Sequence, residues 1–429
     1  MKSPGIKFLE DLTDFGIKLG LDKVSFLLKK LGNPHLAYPS VLIAGTNGKG
    51  SAAKFLSSIL KESGYKTGLY TSPHLINVEE RIKINGEDIP KDVFENVCTE
   101  IQKTVEKSPV EKIPTYFEAL TAIAFYYFKE KKIDILVCEV GMGGKYDATN
   151  VLPSFLEIIM PVSFDHMEFL GNSLQEIAGE KAGIIKENSF LVSGEQKKEV
   201  EDVINRISSI KNTKNFFYPY DFFFRLNSSS LENGQNFNFY GIKEIENLTI
   251  NIHGQHQLQN SSVAVQSALI IDKCLLSVKE ESIRKGLEQT VWPARFQIIS
   301  KNPLLILDGA HNYEGAQTLV KTLDFYLPGE KFIFLTGILK DKDYTGILKI
   351  FSSHASMFIF TDPQNPRTLP SRELQKILEK EKIQIPSVIM ENPESAFTYL
   401  KERTVKSNSR GVICGSLYLA GDILKIVNT

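Results

Sequence analysis

The stretch Val41-Leu-Ile-Ala-Gly-Thr-Asn-Gly-Lys-Gly-Ser51 decides how this 429-residue chain is read. A short apolar run, Val41 to Ala44, leads into a glycine-rich turn, and a helical pattern from Ala52 to Leu60 follows at once. Strand, glycine loop and helix N-terminus in this order make an anion cradle. Loop N–H groups and the positive end of the helix dipole converge there. Lys49 adds a point charge for the outer phosphates of a nucleotide, and the Ser51 hydroxyl is placed to hold Mg²⁺. Side chains in place of the glycines would keep the backbone from approaching the phosphates. The loop departs from the common phosphate-loop pattern in one respect. That pattern follows Gly-Lys directly with Ser or Thr, whereas Gly50 stands between Lys49 and Ser51.

A chain of 429 residues is long for one core, so two domains are expected. Lys and Arg total 50 against 51 for Asp and Glu, which argues against nucleic-acid or membrane binding through net charge. Anionic ligands then need local positive charge of the kind the glycine loop supplies. Cys98, Cys138, Cys274 and Cys414 lie far apart with no C-x-x-C pair, as reduced thiols in a cytosol would. The N-terminus has no uninterrupted apolar signal region, and no stretch approaches the ~18 apolar residues of a membrane span. The expectation is a cytoplasmic monomer that binds small molecules.

Strand-like runs alternate with helical patterns through most of the chain. Strands are expected at Val41–Ala44, Ile133–Glu139, Leu156–Ile159, Phe190–Ser193, Leu304–Leu307, Phe332–Leu335 and Met357–Thr361, with helices at Ser51–Ser63, Tyr116–Lys131 and Glu314–Tyr326. Such alternation implies α/β architecture, with parallel sheets covered by helices. Residues from about 211 to 252 read differently: crowded aromatics, Phe216 to Phe224, give way to Asn and Ser, as in a small antiparallel insertion. Trp292-Pro-Ala-Arg-Phe296 interrupts a helical pattern before a new strand, and the domain boundary is placed there, giving residues 1–293 and 294–429. The first would be a phosphate-loop ATPase domain, the second a smaller Rossmann-like α/β domain.

Glu139 ends an apolar strand just before a glycine turn, at the carboxyl edge where open α/β sheets bind ligands. A carboxylate beside a nucleotide loop suits Mg²⁺, which takes few protein oxygens plus phosphates and water. The next strand leads to Asp165-His166 in the same geometry, which raises a metal role for a histidine that would otherwise be structural. Lys181 sits among small residues in Ile177-Ala-Gly-Glu-Lys-Ala-Gly-Ile-Ile185. Its ordinary reading is a solvated helix charge, the other a carbamylated lysine acting as a carboxylate-like ligand.

The loop Gly45-Thr-Asn-Gly-Lys-Gly-Ser51 resembles that of the folylpolyglutamate synthase and dihydrofolate synthase family, within the Mur-ligase group of ATP-dependent amide-bond formers. Thr71-Ser-Pro-His-Leu75, Thr115-Tyr-Phe-Glu118, Glu139-Val-Gly-Met-Gly-Gly144, Asp147-Ala-Thr-Asn150 and Glu180-Lys-Ala-Gly-Ile184 carry the resemblance onward. So do His256-Gln-Leu-Gln-Asn260, Trp292-Pro-Ala-Arg295, Asp308-Gly-Ala-His-Asn312 and Gly415-Ser-Leu-Tyr418, in family order across roughly residues 40 to 420.

The resemblance implies roles residue by residue. Thr46, Asn47, Gly48, Lys49, Gly50 and Ser51 would hold the phosphates of ATP, the co-substrate, with Asn260, Arg295, Asp308 and His311 also at the nucleotide. Ser51, Ser72, Glu139, His166 and a carbamylated Lys181 would bind Mg²⁺, and Lys49, Glu139, His166 and Lys181 would carry the chemistry. Thr115, Tyr116, Phe117, Glu118, Tyr146, Asp147 and Ala148 would line the pterin pocket. The chain departs from the family pattern at Ala294, where Gly is common, and at Met142 and Lys145-Tyr146. Ala294 removes backbone freedom at the hinge, and Lys145 keeps the charge of an Arg without its forked hydrogen bonding.

The implied reaction converts a carboxylate to an acyl phosphate with ATP, after which the amine of L-glutamate displaces phosphate. Both dihydropteroate and reduced folates are expected acceptors. A polyglutamate synthase alone is the nearest alternative, and the loop Thr71 to Arg81 is where the choice should lie. A cell-wall ligase would carry a sugar-nucleotide domain ahead of the loop, where only about 40 residues stand. A non-catalytic nucleotide-binding regulator would need no acidic group beside its phosphates.

Overall fold

The computed structural model describes residues 3–15 and 20–427. Its largest sheet has eight strands: β1 (Ser40–Ala44), β2 (Thr67–Tyr70), β3 (Ile82–Ile84), β4 (Glu87–Asp88), β5 (Ile135–Glu139), β6 (Leu156–Ile159), β7 (Phe190–Ser193) and β8 (Lys214–Phe217). Their spatial order is β4-β3-β2-β5-β1-β6-β7-β8. β1 lies between β5 and β6, parallel to both, and every one of its residues is buried. A strand buried on both faces reads as a near-continuous apolar run, which is why Val41 to Ala44 shows no alternation. The edge departs from the expected parallel pattern, since β3 pairs antiparallel with β2 and β4 with β3.

Residues 211–252 divide in two. β8 belongs to the main sheet, parallel to β7 and fed by the helix Lys198–Ile210, as a crossover unit requires. The antiparallel insertion is β9 (Phe223–Ser230), β10 (Gly234–Tyr240) and β11 (Ile245–Ile250). The apolar side of its sheet, Phe237, Phe239, Leu248 and Ile250, packs under the helix Gln255–Cys274, and Asn227, Asn236 and Asn238 form a hydrogen-bonded ladder on the other.

A second sheet follows with β12 (Gln297–Lys301), β13 (Leu304–Leu307), β14 (Phe332–Thr336), β15 (Ala355–Phe360), β16 (Ser387–Ile389) and β17 (Arg410–Cys414). Their order is β12-β13-β17-β14-β15-β16, with β12 antiparallel to β13 and the other pairings parallel. Helices cover both faces of this sheet, one core containing Phe334, Phe351 and Phe358 and the other Leu335, Ile359 and Ile423. The α/β class with a small antiparallel sheet is as expected from the sequence. Among the described residues no helix is long and apolar enough to cross a membrane.

The helix after β1, Lys49–Glu62, buries Ala52, Ala53, Phe55, Leu56, Ile59 and Leu60 against the neighbouring helices and the sheet. Their i, i+3, i+4 spacing makes a single apolar stripe, and its burial holds the helix N-terminus at the carboxyl edge of the sheet.

Candidate active site

Two glycines shape the loop between β1 and its helix. Gly48 precedes the helix with φ +89, and a Cβ there would lie 2.6 Å from Asn260 Oδ1. A Cβ on Gly45 would meet Met160 Cβ at 2.6 Å and Met160 O at 2.8 Å. The loop is therefore pressed against the residue after β6 on one side and against the helix Gln255–Cys274 on the other. Thr46 fastens it: its N–H donates to Pro161 O at 2.9 Å, its hydroxyl donates to Ser163 O at 3.1 Å and accepts from Ser163 N–H at 3.0 Å. Lys49 Nζ donates to Thr46 O at 3.1 Å and lies 3.9 Å from Glu139 Oε1.

Glu139 closes β5 and is only 5% exposed. Burial pushes its carboxyl above the usual range, while Lys49, the Ser72 N–H at 3.1 Å and Arg295 pull the other way. A buried carboxylate facing a phosphate loop fits a hard divalent cation, whose charge would offset that burial. Ser72 and His166 line the same cavity. His166 has φ +50, and its Nε2 lies 3.6 Å from Asp165 Oδ2. Among the described residues no three His, Cys, Asp or Glu side chains converge as a metal cluster, and Mg²⁺ shared with phosphates and water requires none.

Lys181 takes a different position. It is 4% exposed and does not line the cavity; its Nζ donates to Gly45 O at 2.8 Å, beneath the loop. Burial, helped by Lys49, brings its ammonium down to about 7. Ser51, in the first turn of the helix, and Asn260, packed against Gly48, are also buried, with Asn260 Nδ2 donating to Gln257 Oε1 at 3.0 Å.

The cavity encloses about 620 Å³. The loop residues Thr46 to Gly50 line one part of it, and Tyr116, Phe117, Met142, Tyr146 and Ala148 give it an aromatic and apolar part. Gly141 admits the Phe117 ring, which a Cβ at that position would strike. Thr115, Glu118 and Asp147 also line the cavity, yet their polar atoms are engaged in local bonds. Glu118 Oε2 accepts from Thr115 N–H at 2.7 Å and Thr115 Oγ1 at 2.9 Å, a capping box at the start of the helix Tyr116–Glu130. Asp147 accepts from Met142 N–H at 2.9 Å and Thr149 N–H at 3.0 Å.

The second sheet supplies the opposite wall through Arg295, His311, Lys342, Arg367 and Tyr418. Asp308 stays out of the cavity wall; its oxygens accept from Phe296 N–H at 2.7 Å and Ala310 N–H at 2.8 Å. His311 is brought down to about 4, chiefly by burial, and its Nδ1 lies 2.8 Å from Gly309 O. Lys342 reaches across the cavity to Asp165 Oδ1 at 3.3 Å, and Asn312 Nδ2 donates to Asn47 Oδ1 at 3.2 Å. Burial works against the Asp165 carboxylate, but His166, Lys342 and His311 together hold it below its usual range. Arg81, Lys342 and Arg367 were not singled out from the sequence. A cation on a loop carries no local signal of which cavity it enters.

The model for the Mur ligase middle domain matches residues 43–268, and that for the Mur ligase glutamate ligase domain matches residues 294–417. The dihydrofolate synthase/folylpolyglutamate synthase of Bacillus subtilis (strain 168) is 33% identical over 416 residues, 96% of this chain and 95% of the relative. This chain belongs to the dihydrofolate synthase/folylpolyglutamate synthase family. The Mycobacterium tuberculosis folylpolyglutamate synthase complexed with ADP superposes with a TM-score of 0.91 at 29% identity, covering 99% of each chain. The E. coli FolC structure in complex with DHPP and ADP superposes at 0.87 with 27% identity, covering 99% of this chain and 98% of that one. Against this family's pattern, Ala294 stands at φ +56 and is fully buried, a left-handed position held by an alanine.

Proposed function

We propose that the chain is an ATP-dependent ligase that joins L-glutamate to dihydropteroate and to reduced folates. The observation that carries this reading is one cavity lined by the glycine loop, by an aromatic and apolar set and by cations from the second sheet. A pterin ring suits the aromatic set, and the acceptor carboxylate would then point toward the loop. Relatives named for both activities match nearly the whole chain.

In this reading the N–H groups of residues 46–51 cradle the ATP phosphates, and Lys49 neutralises charge as the γ-phosphoryl moves. An acceptor carboxylate oxygen attacks the γ-phosphorus and ADP leaves, giving an acyl phosphate. The amine nitrogen of L-glutamate, freed of its extra proton, attacks the acyl carbon, and phosphate departs with the C–O electron pair. Glu139, with Ser51, Ser72 and His166 as further ligands, would hold Mg²⁺, which when bound screens the phosphate charges. Lys181, withdrawn under Gly45, would add an anionic ligand when carbamylated, and unmodified it braces the loop through Gly45 O. Asn260, Arg295, Asp308 and His311 complete the nucleotide side of the reading.

Acyl phosphates hydrolyse readily, so water must be kept out. Treating residues 1–293 and 294–429 as two domains, the Lys342–Asp165 and Asn312–Asn47 contacts are what shuts the cleft between them. Arg367 and Lys342 on the second wall suit the carboxylates of incoming L-glutamate. Every group invoked comes from one chain, so a monomer suffices.

The test is incubation with Mg-ATP and L-glutamate, with dihydropteroate in one tube and tetrahydrofolate in another, followed by product mass. One added glutamate in both is the expected result. Addition in one tube alone would replace the bifunctional reading with a monofunctional one. ATP binding without product in either would leave a nucleotide-binding regulator.

A further inference from the structure

Among the described residues five Lys and Arg side chains line the cavity, and in four of them a terminal nitrogen is engaged. Lys49 faces Glu139, and Lys342 faces Asp165. Arg295 Nη1 donates to Ala294 O at 3.1 Å, and Arg367 is divided between Asp341 at 3.6 Å and the Tyr418 hydroxyl at 3.3 Å. Arg81 differs. Its Nε donates to His74 Nδ1 at 3.0 Å and its guanidinium lies 6.0 Å from the centre of the Tyr116 ring, but Nη1 and Nη2 have no hydrogen-bond or ion-pair partner among the described residues.

The local structure fixes this side chain. Arg81 ends the short helix Val78–Arg81 and runs directly into β3, where Ile82 is fully buried. Its carbonyl accepts from Thr71 N–H at 3.0 Å, tying it to the chain that leads to Ser72. His74 Nδ1 accepts from Nε and so fixes the rotation of the guanidinium. A guanidinium oriented at Nε and over an aromatic face presents its two terminal nitrogens as a fork, the geometry that receives a carboxylate in two parallel hydrogen bonds.

Among the described residues the acids that line the cavity are paired elsewhere, Glu118 with Thr115 and Asp341 with Arg367 and Lys342. Glu139 is held by Lys49 and Ser72, Asp165 by Lys342, and Asp147 by backbone N–H groups. The ligand therefore has to bring the carboxylate. The two acceptors differ in this one respect. Dihydropteroate carries a single carboxylate, the one to be activated. A folate ending in glutamate carries its reacting γ-carboxylate and, beside it, an α-carboxylate that stays charged throughout.

We propose that Arg81 binds the non-reacting α-carboxylate of a glutamate-terminated acceptor, so that it is a specificity-determining residue for chain extension and not for the first glutamate addition. The proposal rests on the bifunctional reading above. It places the choice of acceptor in the segment Thr71 to Arg81, in one side chain of that segment.

The experiment compares wild type, Arg81→Gln and Arg81→Lys in ATP-dependent glutamate addition. The acceptors are dihydropteroate, tetrahydrofolate and a tetrahydrofolate analogue ending in γ-aminobutyrate, which keeps the reacting carboxylate and lacks the α-carboxylate. Arg81→Gln should lower kcat/KM for tetrahydrofolate by about tenfold to a hundredfold, mainly through KM, and leave dihydropteroate within about twofold. Wild type should already handle the γ-aminobutyrate analogue poorly, and the glutamine variant should reduce it no further. Arg81→Lys should recover part of the loss on tetrahydrofolate. Equal losses on dihydropteroate and tetrahydrofolate, or no loss on either, would overturn the assignment while leaving the bifunctional reading intact. A wild type that cannot extend tetrahydrofolate at all would overturn both.

Discussion

Gly48, in the phosphate loop, and Ala294, between the two large sheets, both have left-handed backbone, with φ +89 and +56, but they treat a Cβ in opposite ways. At Gly48 a methyl would drive into Asn260, whereas at Ala294 the methyl is present and buried in the core with Leu305, Leu335 and Leu419. The loop must leave its inner surface bare because a ligand has to reach the backbone. The connection to the second sheet has no ligand to admit at that residue, so side-chain packing offsets the left-handed conformation. The loop thus offers the cavity backbone N–H groups, whereas the second sheet offers it side chains that reach across.

Adding a methyl at Gly48 should therefore have the largest effect. Gly48→Ala should cost about 2 to 3 kcal/mol in the loop's working conformation, since the contact with Asn260 adds to the left-handed penalty. Roughly a hundredfold lower kcat/KM for ATP is expected, and calorimetric nucleotide titration locates the loss in binding. An unchanged variant would mean that the loop is not pinned from behind.

The strand that supports the loop carries an electrostatic load. Glu157 lies on β6 opposite Leu42 of β1, is fully buried, and accepts from Ser154 Oγ at 2.6 Å and from the Ser189 hydroxyl. Burial outweighs those hydrogen bonds and pushes its carboxyl up to about 7 from 4.5. The folded protein then holds this proton more tightly than the unfolded chain, so the site's contribution to stability is intact below pH 4.5 and declines as pH rises through about 7. Glu157→Gln should match wild type in acid and exceed it above pH 7 by on the order of 2 to 3 kcal/mol. Chemical denaturation across that range measures the difference, and a constant gap would contradict it.

The second wall should respond more mildly. Lys342 and Asp165 are largely shielded, so Lys342→Met and Asp165→Asn should each raise KM severalfold. Their double variant should show a coupling of about 1 kcal/mol, within the range for contacting charges. Additive losses would mean that the pair does not act as a latch. Smallest of all is Ala294→Gly. Relief of about 1 kcal/mol of left-handed strain is set against one buried methyl and a more flexible unfolded chain, so stability should move by less than about 1 kcal/mol. A loss comparable to that at Gly48 would erase the distinction between the two sites.

The same distinction governs what could be read from the chain itself. Lys49, Gly48 and Glu139 were legible because a strand end followed by a glycine turn is a local pattern with a known place in an α/β sheet. Met160 and Asn260, which press on the loop, and Arg81, Lys342 and Arg367, which enter the cavity, depend on loops brought together by tertiary packing. The strands Thr67–Tyr70 and Arg410–Cys414 lie inside a sheet, yet each opens with a polar residue and a glycine that break the apolar run by which the other short strands are read. Thr115, Glu118 and Asp147, expected in a pterin pocket, line the cavity, but their polar atoms are engaged in capping and loop bonds that sequence does not distinguish from ligand contacts. Residues 211–217 read as part of the antiparallel insertion, whereas a helix running into β8 completes the main sheet there.

Oxygen transfer tests the central claim most directly: that this cavity activates a carboxylate by phosphorylation. Dihydropteroate with heavy oxygen in its carboxylate, turned over with Mg-ATP and L-glutamate, should yield inorganic phosphate carrying one heavy oxygen for each amide formed. Amide formation with unlabelled phosphate, or with the label in AMP, would contradict the acyl-phosphate route.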